Sequence, residues 1–118
     1  MAYTAKTVED IVRTGLAATY TAAPGTGAGN GFSIQNDGRT ILHVKNVAAG
    51  GDCVVTIVTP NTVDGLALAD RTVTVADGAE RFIGPFPPSI YNESDGTIRV
   101  DFSEITNVTL AALRMAGV

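Results

Sequence analysis

Apolar and polar residues alternate through most of this chain. Alternation marks strands, because successive side chains on a strand point to opposite sides. The stretch Thr40–Thr59, TILHVKNVAAGGDCVVTIVT, sets the pattern. In its first run Leu42 and Val44 share one face, with Ile41, His43 and Lys45 on the other. In its second run Cys53, Val55, Ile57 and Thr59 oppose Val54, Thr56 and Val58, which predicts a strand buried on both faces. Ala48-Ala49-Gly50-Gly51-Asp52 supplies turn chemistry between the runs, so a central hairpin is expected here.

The same reading extends along the chain. Phe32–Gln35 is a short strand closed by Asn36-Asp37-Gly38, where Asp-Gly suits a hairpin turn that needs positive φ. Pro60–Asp70 is a connection turning at Asp64-Gly65, with Leu66 and Leu68 as anchors. Arg71–Val75 places Val73 and Val75 inward and Thr72 and Thr74 outward. Asp77-Gly78 turns the chain into a strand over Glu80–Phe86, with Phe82 or Ile83 buried. Gly84-Pro85-Phe86-Pro87-Pro88 cannot sit in a central strand, since proline donates no ladder hydrogen bond, and is expected to be extended. After Asp95-Gly96, Ile98, Val100 and Phe102 form one face against Arg99 and Asp101. Val108–Met115, VTLAALRM, starts in phase but loses it at Leu113 and Met115, which predicts a bulge or a brief helix near Ala111.

Two segments break the pattern. Residues Met1–Arg13 fit either a short helix carrying Val8, Ile11 and Val12 and ended by Gly15, or a flexible extended arm leading into a strand over Gly15–Thr21. One or two helical turns have little to sustain them alone, which favours the arm. Ala22–Gly31, AAPGTGAGNG, reads as a mobile loop that orders against a partner. It lacks the Lys-Ser/Thr of a phosphate loop and the third glycine of a dinucleotide fingerprint, so nucleotide binding is not expected.

About seven or eight short strands with Asp-Gly or Gly-Gly turns between them are the signature of an all-β domain. The expected fold is a single antiparallel β-sandwich or barrel, jelly-roll or immunoglobulin-like, over residues 14–118, preceded by an arm over 1–13. A chain of 118 residues has the length for one such core.

Composition narrows the function. Hydrophobic residues make up 45% and charged residues 17%, which excludes a disordered chain and favours a surface that packs against another protein. The net charge is −4 and the basic residues are scattered, so neither nucleic acid nor an anionic membrane is an expected partner. The single cysteine, Cys53, reads as a small buried hydrophobe. The N-terminus has no signal-peptide pattern and no apolar run approaches a membrane span, so synthesis in a cytoplasm is expected.

Candidate chemistry is sparse. The only histidine, His43, is expected to face solvent on its strand, and no nucleophile elbow accompanies it. One His and one Cys do not make a zinc site. Asn92-Glu93-Ser94-Asp95-Gly96 resembles part of a calcium loop, but Tyr91 stands where the first Asp belongs and Val100 or Asp101 where the closing Glu belongs. The inventory predicts no enzyme, no cofactor and no metal.

Three segments carry a family resemblance: NDGRTILHVKN (Asn36–Asn46), TVDGLALADRTVTV (Thr62–Val75) and IGPFPPSIYNESDGTIRVDF (Ile83–Phe102). Their most specific piece is GPFPPSIYN with the Asp-Gly turn after it, and IVRTGL over Ile11–Leu16 adds to it. Together they resemble small tailed-bacteriophage virion proteins of the head decoration, or capsid cement, type, over roughly Val12 to Met115. The resemblance implies binding to the outside of the expanded capsid, where the protein ties neighbouring major capsid protein subunits together, as a homotrimer at local threefold axes. It implies partner contacts from the arm (Ile11, Val12, Arg13), the Gly-rich loop (Pro24, Asn30) and the Pro-rich segment (Phe86, Pro87, Pro88, Tyr91). Two other readings stay open: a head–tail connector or tail component, and a host-surface or ligand-binding module.

Overall fold

The computed structural model describes residues 3–47 and 50–115. In chain order its strands are β1 (Thr4–Lys6), β2 (Val8–Ile11), β3 (Thr21–Ala22), β4 (Phe32–Gln35), β5 (Thr40–Asn46) and β6 (Cys53–Ile57). There follow β7 (Thr62–Val63), β8 (Leu66–Ala67), β9 (Arg71–Val75), β10 (Glu80–Ile83), one helical turn α1 (Pro88–Tyr91), β11 (Thr97–Phe102) and β12 (Val108–Met115).

The strands form two five-stranded sheets and a ribbon. The first sheet runs β1-β4-β11-β6-β9. The second runs β10-β5-β12-β2, with β3 also paired to β12, and β7 and β8 make the ribbon. The sheets are mixed rather than purely antiparallel, because β1 pairs β4 and β2 pairs β12 in parallel. One apolar cluster draws on both sheets: Phe32, Ile34, Val55, Ile57, Ile98, Val100 and Phe102 from the first, and Leu42, Val44, Ile83, Leu110 and Ala112 from the second. Each set lies at alternate positions, as the period of a strand requires.

The expected hairpin over Thr40–Thr59 does not form. β5 belongs to the second sheet and β6 to the first, so the chain crosses between sheets after Asn46. Ala48 and Ala49, in its expected turn, lie outside the described residues. The Asn36-Asp37-Gly38 and Asp77-Gly78 turns also lead from one sheet to the other. Two strands related this way turn their apolar faces toward one core from opposite sides, and their face patterns look the same as those of a hairpin. β6 is accordingly buried on the Cys53, Val55, Ile57 face and only half-buried at Val54 and Thr56.

The N-terminal segment is neither a helix nor a free arm. β1 edges the first sheet, with Thr4 opposite Phe32 and Lys6 opposite Ile34, and β2 edges the second, with Val8 opposite Ala112. Thr7 is the crossing point. Lys6 Nζ donates to the Thr19 carbonyl at 2.9 Å, and the Thr19 N–H donates to Glu9 Oε1 at 2.7 Å. Of the strand expected over Gly15–Thr21, only Thr21 is in one, β3.

β12 has neither bulge nor helix. Its register with β5 is unbroken from Val108–Asn46 to Arg114–Thr40. The phase is lost because Ala111 and Leu113, on the outer side, are buried as well. In the expected Glu80–Phe86 strand, β10 stops at Ile83, which is buried while Phe82 points outward. Pro88–Tyr91 turns helical, with the Tyr91 N–H donating to the Pro87 carbonyl at 3.1 Å; proline at the first helical position loses no bond by lacking its N–H. Leu66 does not anchor the 60–70 connection: it is 71% exposed at the ribbon tip opposite Val63. Asp64 and Gly65 there have φ of 54° and 76°, the positive pair that a two-residue hairpin turn needs.

Candidate functional site

The outer faces of the two sheets differ in chemistry. On the first sheet the outward residues include Ser33 opposite Arg99 and the Asp101–Thr56–Thr72 row, a polar set. On the second, Phe82 stands opposite His43 and His43 opposite Ala111, Ile41 stands opposite Leu113, and Met115 opposite Ile11. Among the exposed large hydrophobics Phe82 is 67%, Met115 55% and Ile11 41% exposed, with Val12 next in the chain.

At the centre of this face His43 is 5% exposed, contrary to the solvent-facing position expected from its phase. Two aromatic residues distant in sequence cover it. Phe82 stacks on the imidazole with centroids 4.1 Å apart, and Tyr20 meets its edge at 5.4 Å. Tyr20 Oη lies 2.6 Å from Nδ1, and Glu80 Oε1 lies 3.0 Å from Nε2. A carboxylate only accepts, so the neutral ring carries its proton on Nε2 and accepts the Tyr20 hydroxyl proton at Nδ1. Both ring nitrogens are thus engaged within the protein. Lys45 Nζ sits 4.1 Å above the Tyr20 ring and completes the cluster with a cation–π contact.

The expected contact residues are dispersed. Ile11, Val12 and Arg13 lie exposed at the end of β2, on or beside this face. Phe86 and Tyr91 do not present a surface. Both are buried, and their rings meet edge-on at 5.4 Å in the core, leaving Pro87 and Pro88 exposed. Pro24 is exposed and Asn30 half-buried. Their loop, expected to be mobile, is tied to β11: the Gly27 N–H donates to the Phe102 carbonyl at 2.9 Å and the Gly29 N–H to Asp101 Oδ1 at 3.2 Å. Asn30 Nδ2 closes the loop on the Thr26 carbonyl at 2.7 Å.

Other ionisable groups serve local structure. Burial pushes the Cys53 thiol up, and its Sγ lies 3.3 Å from the Glu104 carbonyl. Burial, and then the Asp101 carboxylate it donates to, raises the Tyr3 phenol. In the Asn92–Gly96 turn the Thr97 hydroxyl donates to Asp95 Oδ1 at 2.6 Å, which holds that carboxyl below its usual range. Among the described residues no three His, Cys, Asp or Glu side chains come together as a metal site, and no helix is long and apolar enough to cross a membrane.

Sequence reasoning placed His43 and Lys45 on one face of their strand but missed that Tyr20, Glu80, Phe82 and Met115 join them there. The signal was present in VTLAALRM, a strand apolar in both phases and therefore covered on its outer side. No protein-family model, curated protein or solved structure matches this chain.

Proposed function

We propose that this chain is a structural, non-catalytic β-sandwich protein of a phage virion, which docks on the outside of the expanded capsid and stabilises it. The observation that supports this reading is the asymmetry of its two outer faces. One is polar; the other exposes Phe82, Ile11 and Met115 around a cluster in which both His43 ring nitrogens are already paired. Exposed apolar groups on one side of a small protein mark a surface for another protein. The one histidine, His43, has both ring nitrogens bonded internally, which favours a scaffold over an enzyme. The partner in this reading is the major capsid protein, and many copies on a lattice gain avidity from modest single contacts. The protein is made in the bacterial cytoplasm and ends on the capsid surface, with a homotrimer at the local threefold axes as the assembled form.

The test is co-sedimentation of the purified protein with expanded, undecorated capsids, alongside its Phe82→Glu variant. Saturable binding at a fixed ratio to the capsid protein, lost in the variant while its melting stays cooperative, is the expected result. No binding by the native protein, together with a ring-sized mass in solution, would replace this reading with a connector or tail component.

A further inference from the structure

The sheet edges differ in how they are protected against a further strand. β1 is three residues long and ends in Lys6. β2 carries Glu9 and Asp10. β10 carries Glu80 and Arg81 and leads into Gly84-Pro85. Charge, brevity and proline are the devices that blunt an edge. β9, Arg71-Thr72-Val73-Thr74-Val75, has none of them after its first residue, and β-branched residues fill it from Thr72 to Val75.

The hydrogen-bond phase shows what this edge offers. In β6 the Val54 carbonyl accepts from the Ser103 N–H at 3.0 Å, and the Val58 N–H just beyond the strand donates to the Arg99 carbonyl at 3.0 Å. Even positions of β6 therefore face β11, and odd positions face β9. The bonded pairs between β6 and β9 are Cys53–Val75, Val55–Val73 and Ile57–Arg71. Thr72 and Thr74 are left with their N–H and C=O groups aimed away from the sheet, and among the described residues these groups have no partner.

We propose that β9 pairs with β9 of a second copy, antiparallel about a twofold axis at Val73. In that register Thr72 faces Thr74 of the second copy, and Thr74 faces its Thr72. Both are bonded pairs and use every free group on the edge. Val73 meets Val73 across the axis, and Arg71 meets Val75, so no like charges are opposed. Thr–Thr pairs across strands are favourable. The sequence is thus self-complementary about its centre, and two five-stranded sheets become one. This contact does not depend on capsid binding: it makes a twofold pair of free copies in solution, through an edge distinct from the face that docks on the capsid, where the trimer is the assembled form.

The test measures solution mass by light scattering across a concentration series for the native chain, Thr74→Lys and Thr74→Pro. The Thr74 N–H faces the free edge, so proline there spares the ladder to β6. A native dimer and two monomeric variants that still melt cooperatively are expected. Register is checked by mixing Thr72→Cys with Thr74→Cys under oxidation. Bonded antiparallel pairs hold Cα atoms about 5.5 Å apart, within disulfide reach. The mixture is expected to link at least tenfold more than Thr74→Cys alone, whose copies are offset along the strand. If Thr74→Pro does not fold, Thr74→Lys and the cysteine mixture decide. A native monomer throughout, an oligomer unaffected by Thr74→Lys, or equal linking by Thr74→Cys alone would overturn the proposal.

Discussion

The Phe82 ring lies within 7° of parallel to the imidazole of His43 and covers its face, while Tyr20 meets the edge of the same ring. Tyr20→Phe keeps the ring against His43 and under Lys45 but removes the hydroxyl that serves Nδ1. A buried acceptor left without its donor costs about 1–3 kcal/mol. A fall in melting temperature of several degrees is expected. An unchanged melting temperature would mean that Nδ1 is served by water and that the cluster is not closed.

Gly31 sits where the loop after β3 meets β11. A Cβ there would lie 1.7 Å from the Val100 carbonyl oxygen, a backbone atom that cannot move without breaking the first sheet. Gly31→Ala is expected to abolish soluble expression or lower the melting temperature by more than 10 °C, an effect on the order of several kcal/mol. At Gly29 a Cβ would meet nothing within 4 Å, and only its φ of 88° is unfavourable. Gly29→Ala is therefore the control, with a cost of about 1 kcal/mol.

Asn36 and Asn92 fasten the end of β4 to the Pro-rich segment. Asn36 Nδ2 donates to the Phe86 carbonyl at 2.9 Å and to Asn92 Oδ1 at 2.7 Å, while Asn92 Nδ2 donates to the Asn36 carbonyl at 3.0 Å. Asn36→Ala strips a buried carbonyl of its donor, and a loss of about 2–3 kcal/mol is expected. In a double-mutant cycle with Asn92→Ala, urea titrations are expected to show coupling of about 1 kcal/mol or more. Additive losses would show that the two amides act separately.

The longer core strands were legible. Val75 is fully buried and Val73 half-buried, as alternation required, and Ile98, Val100 and Phe102 are all in the core. Which sheet each strand joins was not legible. An Asp-Gly turn reverses the chain, but a reversal within a sheet and one across the core leave the same pattern of faces. β1 and β2 were missed because they are short and largely polar; as edge strands they are held by β4 and β12, and no local signal marks them. His43 was misplaced because its cover, Tyr20 and Phe82, comes from residues 23 and 39 positions away, a relation that alternation along one strand cannot carry.

Acid should expose the role of the turn before β11. The hydrogen bond from the Thr97 hydroxyl, with its N–H next, lowers the Asp95 carboxyl below its ordinary 3.8. A group lowered on folding stabilises the native state above its unfolded value and loses that contribution as pH falls through the folded one. Backbone N–H donors lower Asp37 and Glu104 in the same sense. Stability is expected to decline as pH drops below 3.8, and Asp95→Asn to be less stable than the native chain at neutral pH. The two should converge in strong acid. A gap between their melting curves that persists at low pH would assign the difference to something other than the charge.

Deleting residues 1–11 separates the two views of the N-terminus. A free arm could be removed without loss of stability. In this structure the deletion takes an edge strand from each sheet, together with the Lys6 and Glu9 bonds to Thr19 and the 2.9 Å ion pair of Asp10 with Arg114. The expected outcome is a lower urea midpoint and faster amide exchange in β4 and β12, the strands left uncovered. An unchanged midpoint would show that β1 and β2 contribute nothing to the fold. It also follows that lost capsid occupancy in the deletion cannot be read as a lost contact, because the face it would dock with is itself disturbed. Ile11→Ser and Arg13→Ala act on exposed side chains without removing the strand, and should leave the midpoint nearly unchanged. Their effect on co-sedimentation then measures what the end of β2 contributes to binding.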